Sequence, residues 1–208
     1  MVSDAEGATA VRLAREAIQL GLADPTRGDV ARRLRAVDLP PLFDTPRGVF
    51  VTLRRGRDGG LRGCIGFALP LFPLRVALAR AAVAAATDDP RFPPLPPGEL
   101  ATTSVEVSVL TPPVELVGRT PADREREVVV GRDGLIVDLG DASGLLLPQV
   151  AVDEAWDAAT FLAQTCVKAG LRPESWRSPA ARVRRFEAEV FGEERPGGPV
   201  RRVPLGRG

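Results

Sequence analysis

The chain has 208 residues, 44% of them hydrophobic, and its 28 basic and 27 acidic side chains leave a net charge of +1. That is enough chain to bury a substantial core in one domain or one domain of two lobes, and too little charge to draw the whole surface to nucleic acid or an anionic membrane. The lack of any histidine removes Ser-His-Asp and Cys-His nucleophiles and His-ligated metals, and two cysteines far apart in sequence cannot make a zinc or iron–sulfur cluster site.

In chain order, Val11 to Leu22 places Val11, Ala14, Ile18 and Leu22 on one helical face, with Asp24-Pro25 as its stop. Asp29 is placed to cap a second short helix through Val37, and Pro40-Pro41 and Pro46 then impose an extended connection. GVFVTLRR, from Gly48, alternates into the turn GRDGG and out through LRGCIGFAL, which predicts a β-hairpin with Cys64 on its second strand. Pro73 to Thr87 reads as an Ala-rich helix able to pack close to a sheet, followed by the stiff proline-rich loop DDPRFPPLPPGEL.

TSVEVSVL, from Thr103, puts Val105, Val107 and Val109 on one face and Ser104, Glu106 and Ser108 on the other. Strands are expected at 127–130 and 135–139 joined by the turn GRDG, with Leu145 to Leu147 after another glycine-rich turn. Asp153 to Ala169 predicts a helix with Trp156, Ala159, Ala163 and Cys166 in one stripe, closed by Gly170. Residues 181–191 fit strand and helix periods, and the strand is favoured. The tail, 193–208, is expected to be extended or disordered, since RPGGPVRRVPLGRG cannot hold a helix. The whole is read as a single α+β domain, residues 1–208, with an antiparallel sheet flanked by helices. The opening MVSDAEGATA lacks a basic segment followed by an apolar run, no apolar run is long enough to span a bilayer, and the isolated cysteines suit a reducing compartment. These features predict a cytoplasmic protein.

The chemistry concentrates at LRGCIG, Leu61 to Gly66. In a regular strand Arg62 and Cys64 share a face, and a neighbouring guanidinium favours a thiolate. Gly63 and Gly66 permit a bulge or a close ligand approach. The alternative is that Cys64 is a small core residue and the glycines let a helix pack on the sheet. Arg91, in a stiff loop, can clamp a carboxylate or phosphate, or pair with Asp88 or Asp89. Glu106 is a candidate acid or base in a protein without histidine, with Ser108 beside it, although that face can also point to solvent or pair with Arg62. Gln149 can read a polar ligand or tie down loop backbone. Lys168 near a helix C-terminus, and Trp156 and Cys166, read as structural. Neither a Walker loop nor a dense carboxylate cluster is present, so neither a cofactor nor a metal is expected.

LRGCIG, together with GVFVTL, DDPRFPPL, EVSVLTPP, VGRDGLIV, GLLLPQV, Trp156-Asp157, KAGL and GPVRRVPL, resembles the AMMECR domain family, protein A of the AmmeMemoRadiSam system. The resemblance covers nearly the whole chain from about Val11. It implies an α+β fold with a larger lobe containing both termini, a smaller lobe, and the hexapeptide near a cleft between them. It also implies Memo-type proteins and radical SAM enzymes as partners, and no assigned reaction. Three functions follow as expectations. One is an enzyme using Cys64 with Arg62, and with Arg91 holding a small anionic substrate. Another is a non-catalytic module binding a small molecule or protein. The third and weakest is an RNA-binding protein, against which the interleaved acids and few aromatics argue.

Overall fold

The computed structural model describes residues 1–23, 30, 37–118 and 120–204. The expected helix from Asp29 to Val37 lies, apart from Val30 and Val37, outside the described residues. The chain divides into two compact units. The first comprises Met1–Leu110 and Glu189–Val203, and the second Thr111–Ala188 with Pro204 among the described tail residues.

The first unit opens on α1, Asp4–Ala23, which begins seven residues before the apolar stripe. The cause is a capping box: the Ser3 amide donates to Glu6 Oε2 at 2.8 Å, and the Glu6 amide returns to Ser3 Oγ at 3.3 Å. Val11, Ala14 and Ile18 are buried as the stripe requires. Strands β1 (Val49–Arg55) and β2 (Leu61–Phe67) form the predicted antiparallel hairpin. Helix α2, Leu74–Thr87, follows, and then β3, Thr103–Leu110. The sheet order runs β2-β1-β3 and onward to the long strand β7, Arg182–Glu193, with β8, Val200–Val203, on β7. Within the tail, β8 pairs antiparallel with β7 from Val200 to Val203. Val49, Val51, Leu53, Val105, Val107 and Val109 share one core with α1 and α2. The alternate positions Phe50, Thr52, Glu106 and Ser108 therefore lie on the opposite face.

In the second unit β4 is Val114–Glu115, α3 is Pro121–Glu127, β5 is Asp133–Leu139 and β6 is Ala142–Leu146. Helix α4 is Pro148–Asp153 and α5 is Ala158–Lys168. The pairs β4–β7, β5–β7 and β5–β6 are all antiparallel. Leu135, Val137, Phe161, Leu162, Cys166, Trp176 and Val183 belong to its core.

Two expectations fail here. The strand at 127–130 is instead the end of a helix and a turn. Thr120 caps α3 through a reciprocal bond with Asp123, Pro121 occupies its first turn, and Gly131 at φ 86° reverses the chain before β5. The long helix from Asp153 is two helices. Ala155 at φ 53° breaks the chain, and the Asp157 carboxylate accepts from the Thr160 amide to restart it. Trp156 lies between the helices rather than in the stripe with Cys166.

Candidate functional site

The site is built on the edge strand β2 of the first unit. Thr52 of β1 stands opposite both Cys64 of β2 and Glu106 of β3, so thiol, hydroxyl and carboxylate form one cross-strand row on the face away from α1 and α2. The Thr52 hydroxyl, itself buried, donates to Cys64 Sγ at 3.3 Å. Glu106 pairs with Arg54 at 3.5 Å rather than with Arg62. The next row holds Gly66, Phe50 and Ser108, with Ser108 buried.

An edge strand leaves alternate backbone groups without a neighbour, and at Cys64 the DDPRFPPL loop supplies partners. The Cys64 amide donates to Asp89 Oδ2 at 2.8 Å, and Arg91 Nη2 donates to the Cys64 carbonyl at 3.3 Å. Asp89, 4% exposed, is gripped by Arg91 through Nε at 3.0 Å, Nη2 at 2.8 Å and the backbone amide at 3.1 Å. The Arg91 side-chain bonds hold the Asp89 carboxyl well below the usual carboxylate range. Burial opposes them, and the Cys64 and Arg91 amides reinforce them. The same bonds push the Arg91 guanidinium above its ordinary value against the cost of burial, with the charges of Asp89 and then Cys64 adding to them. The Arg91 side chain is still 54% exposed.

Arg62 does not follow the regular alternation. Leu53 pairs with Gly63 while Arg54 pairs with Leu61, so Arg62 is the extra residue of a β-bulge. Its guanidinium, 7% exposed, binds both oxygens of Glu99 at 2.6 and 3.1 Å and the Pro93 carbonyl at 3.0 Å. It also lies 5.9 Å from the Phe92 ring, which Arg91 approaches at 5.6 Å. The guanidinium that touches Cys64 belongs to Arg91.

Packing accounts for both glycines of the hexapeptide. A Cβ on Gly63 would lie 2.1 Å from the Ala85 carbonyl oxygen of α2, and one on Gly66 2.3 Å from the Val49 carbonyl oxygen. Gln149 lies in the second unit, in the first turn of α4, with its Oε1 buried and, among the described residues, without a hydrogen-bond partner. Cys166 is fully buried, and burial pushes its thiol up. Among the described residues no group of three or more Cys, Asp or Glu is placed to hold a metal ion, and no helix is long and apolar enough to cross a membrane.

Thr52, Asp89 and Glu99 are the contributors that site reasoning from the sequence passed over. Thr52 was within reach of the hairpin register, since even-numbered residues of β1 share the Cys64 face. In the sequence Asp89 reads only as an ion-pair partner for Arg91, and Glu99 carries no local signal.

The fold and this edge define an α+β protein of antiparallel sheets whose cysteine-bearing strand is clamped by an Asp-Pro-Arg loop. The AMMECR1 family model matches residues 11–191, and the chain belongs to that family. A protein of Thermococcus gammatolerans is 52% identical over 211 residues, covering 98% of each chain. One from Methanothermobacter thermautotrophicus is 53% identical over 189 residues, covering 91% of this chain and 95% of its own. The crystal structure of an uncharacterized protein from Pyrococcus horikoshii is similar with a TM-score of 0.86 and 48% identity, covering 98% of this chain and 99% of that one.

Proposed function

We propose that the Cys64 row is the active site of an enzyme acting on a small anionic substrate, with the Cys64 sulfur as nucleophile. The observation that carries this reading is the sulfur's setting. Cys64 is only partly buried and its Sγ accepts the Thr52 hydroxyl, its amide and carbonyl are held by Asp89 and Arg91, and the guanidinium bound to the carbonyl keeps an open edge. A thiolate is the reactive form of cysteine, and a hydroxyl donor at the sulfur supports charge there. Arg91 is suited to hold a substrate carboxylate or phosphate, and Glu106, in the same row, to exchange protons. Arg62 supports the loop that carries Arg91.

Alkylation tests the reading in the Cys166→Ala background. Native Cys64 is expected to react with iodoacetate at pH 7 several-fold faster than the same thiol in unfolded chain. The preference for iodoacetate over uncharged iodoacetamide should vanish in Arg91→Gln. A native Cys64 slower than the unfolded thiol, or an unaltered preference, would defeat the reading.

The steric explanation of Gly63 and Gly66 and the ion pair at Arg62 favour one second reading, a non-catalytic module for a small molecule or a Memo-type partner. An inert Cys64 would leave that reading ahead.

A further inference from the structure

A second site lies elsewhere in the first unit, on a cavity of about 390 Å³ lined by Asp44, Phe72, Pro73, Arg75, Val76 and Arg80. It shares no lining residue with the Cys64 surroundings. Its volume falls in the range of small-ligand pockets.

Arg75 and Asp44, both in its lining, neutralise each other in direct contact, with Arg75 Nε 2.9 Å from Asp44 Oδ1 and Nη2 3.1 Å from Oδ2. Arg80 is different. Its guanidinium carbon lies 4.6 Å from the centroid of the Phe72 ring, and among the described residues no carboxylate or carbonyl accepts from it. Phe72 is in turn held edge-on by Phe67, with ring centroids 5.5 Å apart and planes at 81°. The guanidinium therefore rests on a braced aromatic platform with its donors available. Buried Val76, with Pro73 and the Phe72 ring, adds apolar lining.

From this arrangement we propose that the cavity binds a small monocarboxylate with an apolar body. The planar fork of Arg80 matches a carboxylate, and the apolar lining takes the hydrocarbon part. Among the described lining residues the net charge is a single positive one, and Asp44 disfavours the second charge of a phosphate dianion. The site stands independently of any chemistry at Cys64.

The probe is benzoate, titrated into the full chain while the NMR signals of the Phe72 ring and Val76 methyls are followed. Saturable shifts are expected, at least tenfold weaker with uncharged benzamide, and at least tenfold weaker for benzoate in Arg80→Gln. Arg80 is exposed, so this variant should unfold as cooperatively as the native protein, and Arg80→Lys, which keeps the charge without the fork, should bind between the two. Equal binding of benzoate and benzamide, an unchanged affinity in Arg80→Gln, absent saturation, or tighter binding of inorganic phosphate than of benzoate would each overturn the assignment.

Discussion

The amide of Cys64 and the carboxylate of Asp89 meet at 2.8 Å, so the strand edge at the thiol is completed by a side chain from a loop 25 residues away. Two motifs separated in sequence thereby become one structural unit, and Arg91 closes it from the carbonyl side.

Replacing Asp89 by Asn removes the charge that Arg91 and two amides share, and should cost about 2 to 3 kcal/mol near pH 7. The sign of its pH dependence follows from the depressed folded-state titration. Asp89 stabilises the fold fully above its unfolded value of about 4, and that contribution is lost as pH falls toward the lower folded value. Urea unfolding at pH 7 and pH 3 should show the gap between native protein and Asp89→Asn narrowing at the lower pH. A gap of constant size would contradict the charge-based account.

Arg62→Met strands Glu99 and frees the Pro93 carbonyl. Because Glu99 keeps about a third of its side chain in water, the loss should fall somewhat short of a fully buried pair, at about 2 to 4 kcal/mol. Denaturant midpoints measure it. A change under about 0.5 kcal/mol, the scale of an exposed pair, would show that the Glu99 pairing contributes little.

Gly63→Ala forces a methyl toward the Ala85 carbonyl at 2.1 Å, which only a displacement of α2 or β2 can relieve. The expected cost is about 2 kcal/mol or more, typical of overpacking against backbone. Gly98→Ala, where a Cβ meets nothing within 4 Å, is the control and should be near neutral. Comparable effects at the two positions would rule out the packing explanation.

Ser3→Ala removes the hydroxyl of the capping box and should cost about 1 kcal/mol. Amide exchange should speed up first in the opening turn of α1, where the Gly7 amide bonds the Ser3 carbonyl. Unchanged protection at residues 4–7 would mean that the start of the helix is fixed by packing of Gly7 against Phe191 instead.

Local pattern was enough for the hairpin of β1 and β2, the strand from Thr103 to Leu110, the Ala-rich helix and the burial of Cys166, because each depends on periodicity and turn chemistry within a few residues. It was not enough at 127–130. There a β-branched run resembles a strand, but the capping box at Thr120 and the left-handed Gly131 place Val128 and Val130 against the core from a turn. The alternation of β2 likewise put Arg62 beside Cys64, and a bulge of one residue, set by pairing with β1, carries its guanidinium to Glu99 instead. The sequence by itself determined that Cys64 would stand on a strand whose partner face is polar. Only the tertiary structure decided that Arg91, not Arg62, touches it. Strand register and ion-pair choice depend on which distant backbone groups are left unpaired, and no local spacing encodes that.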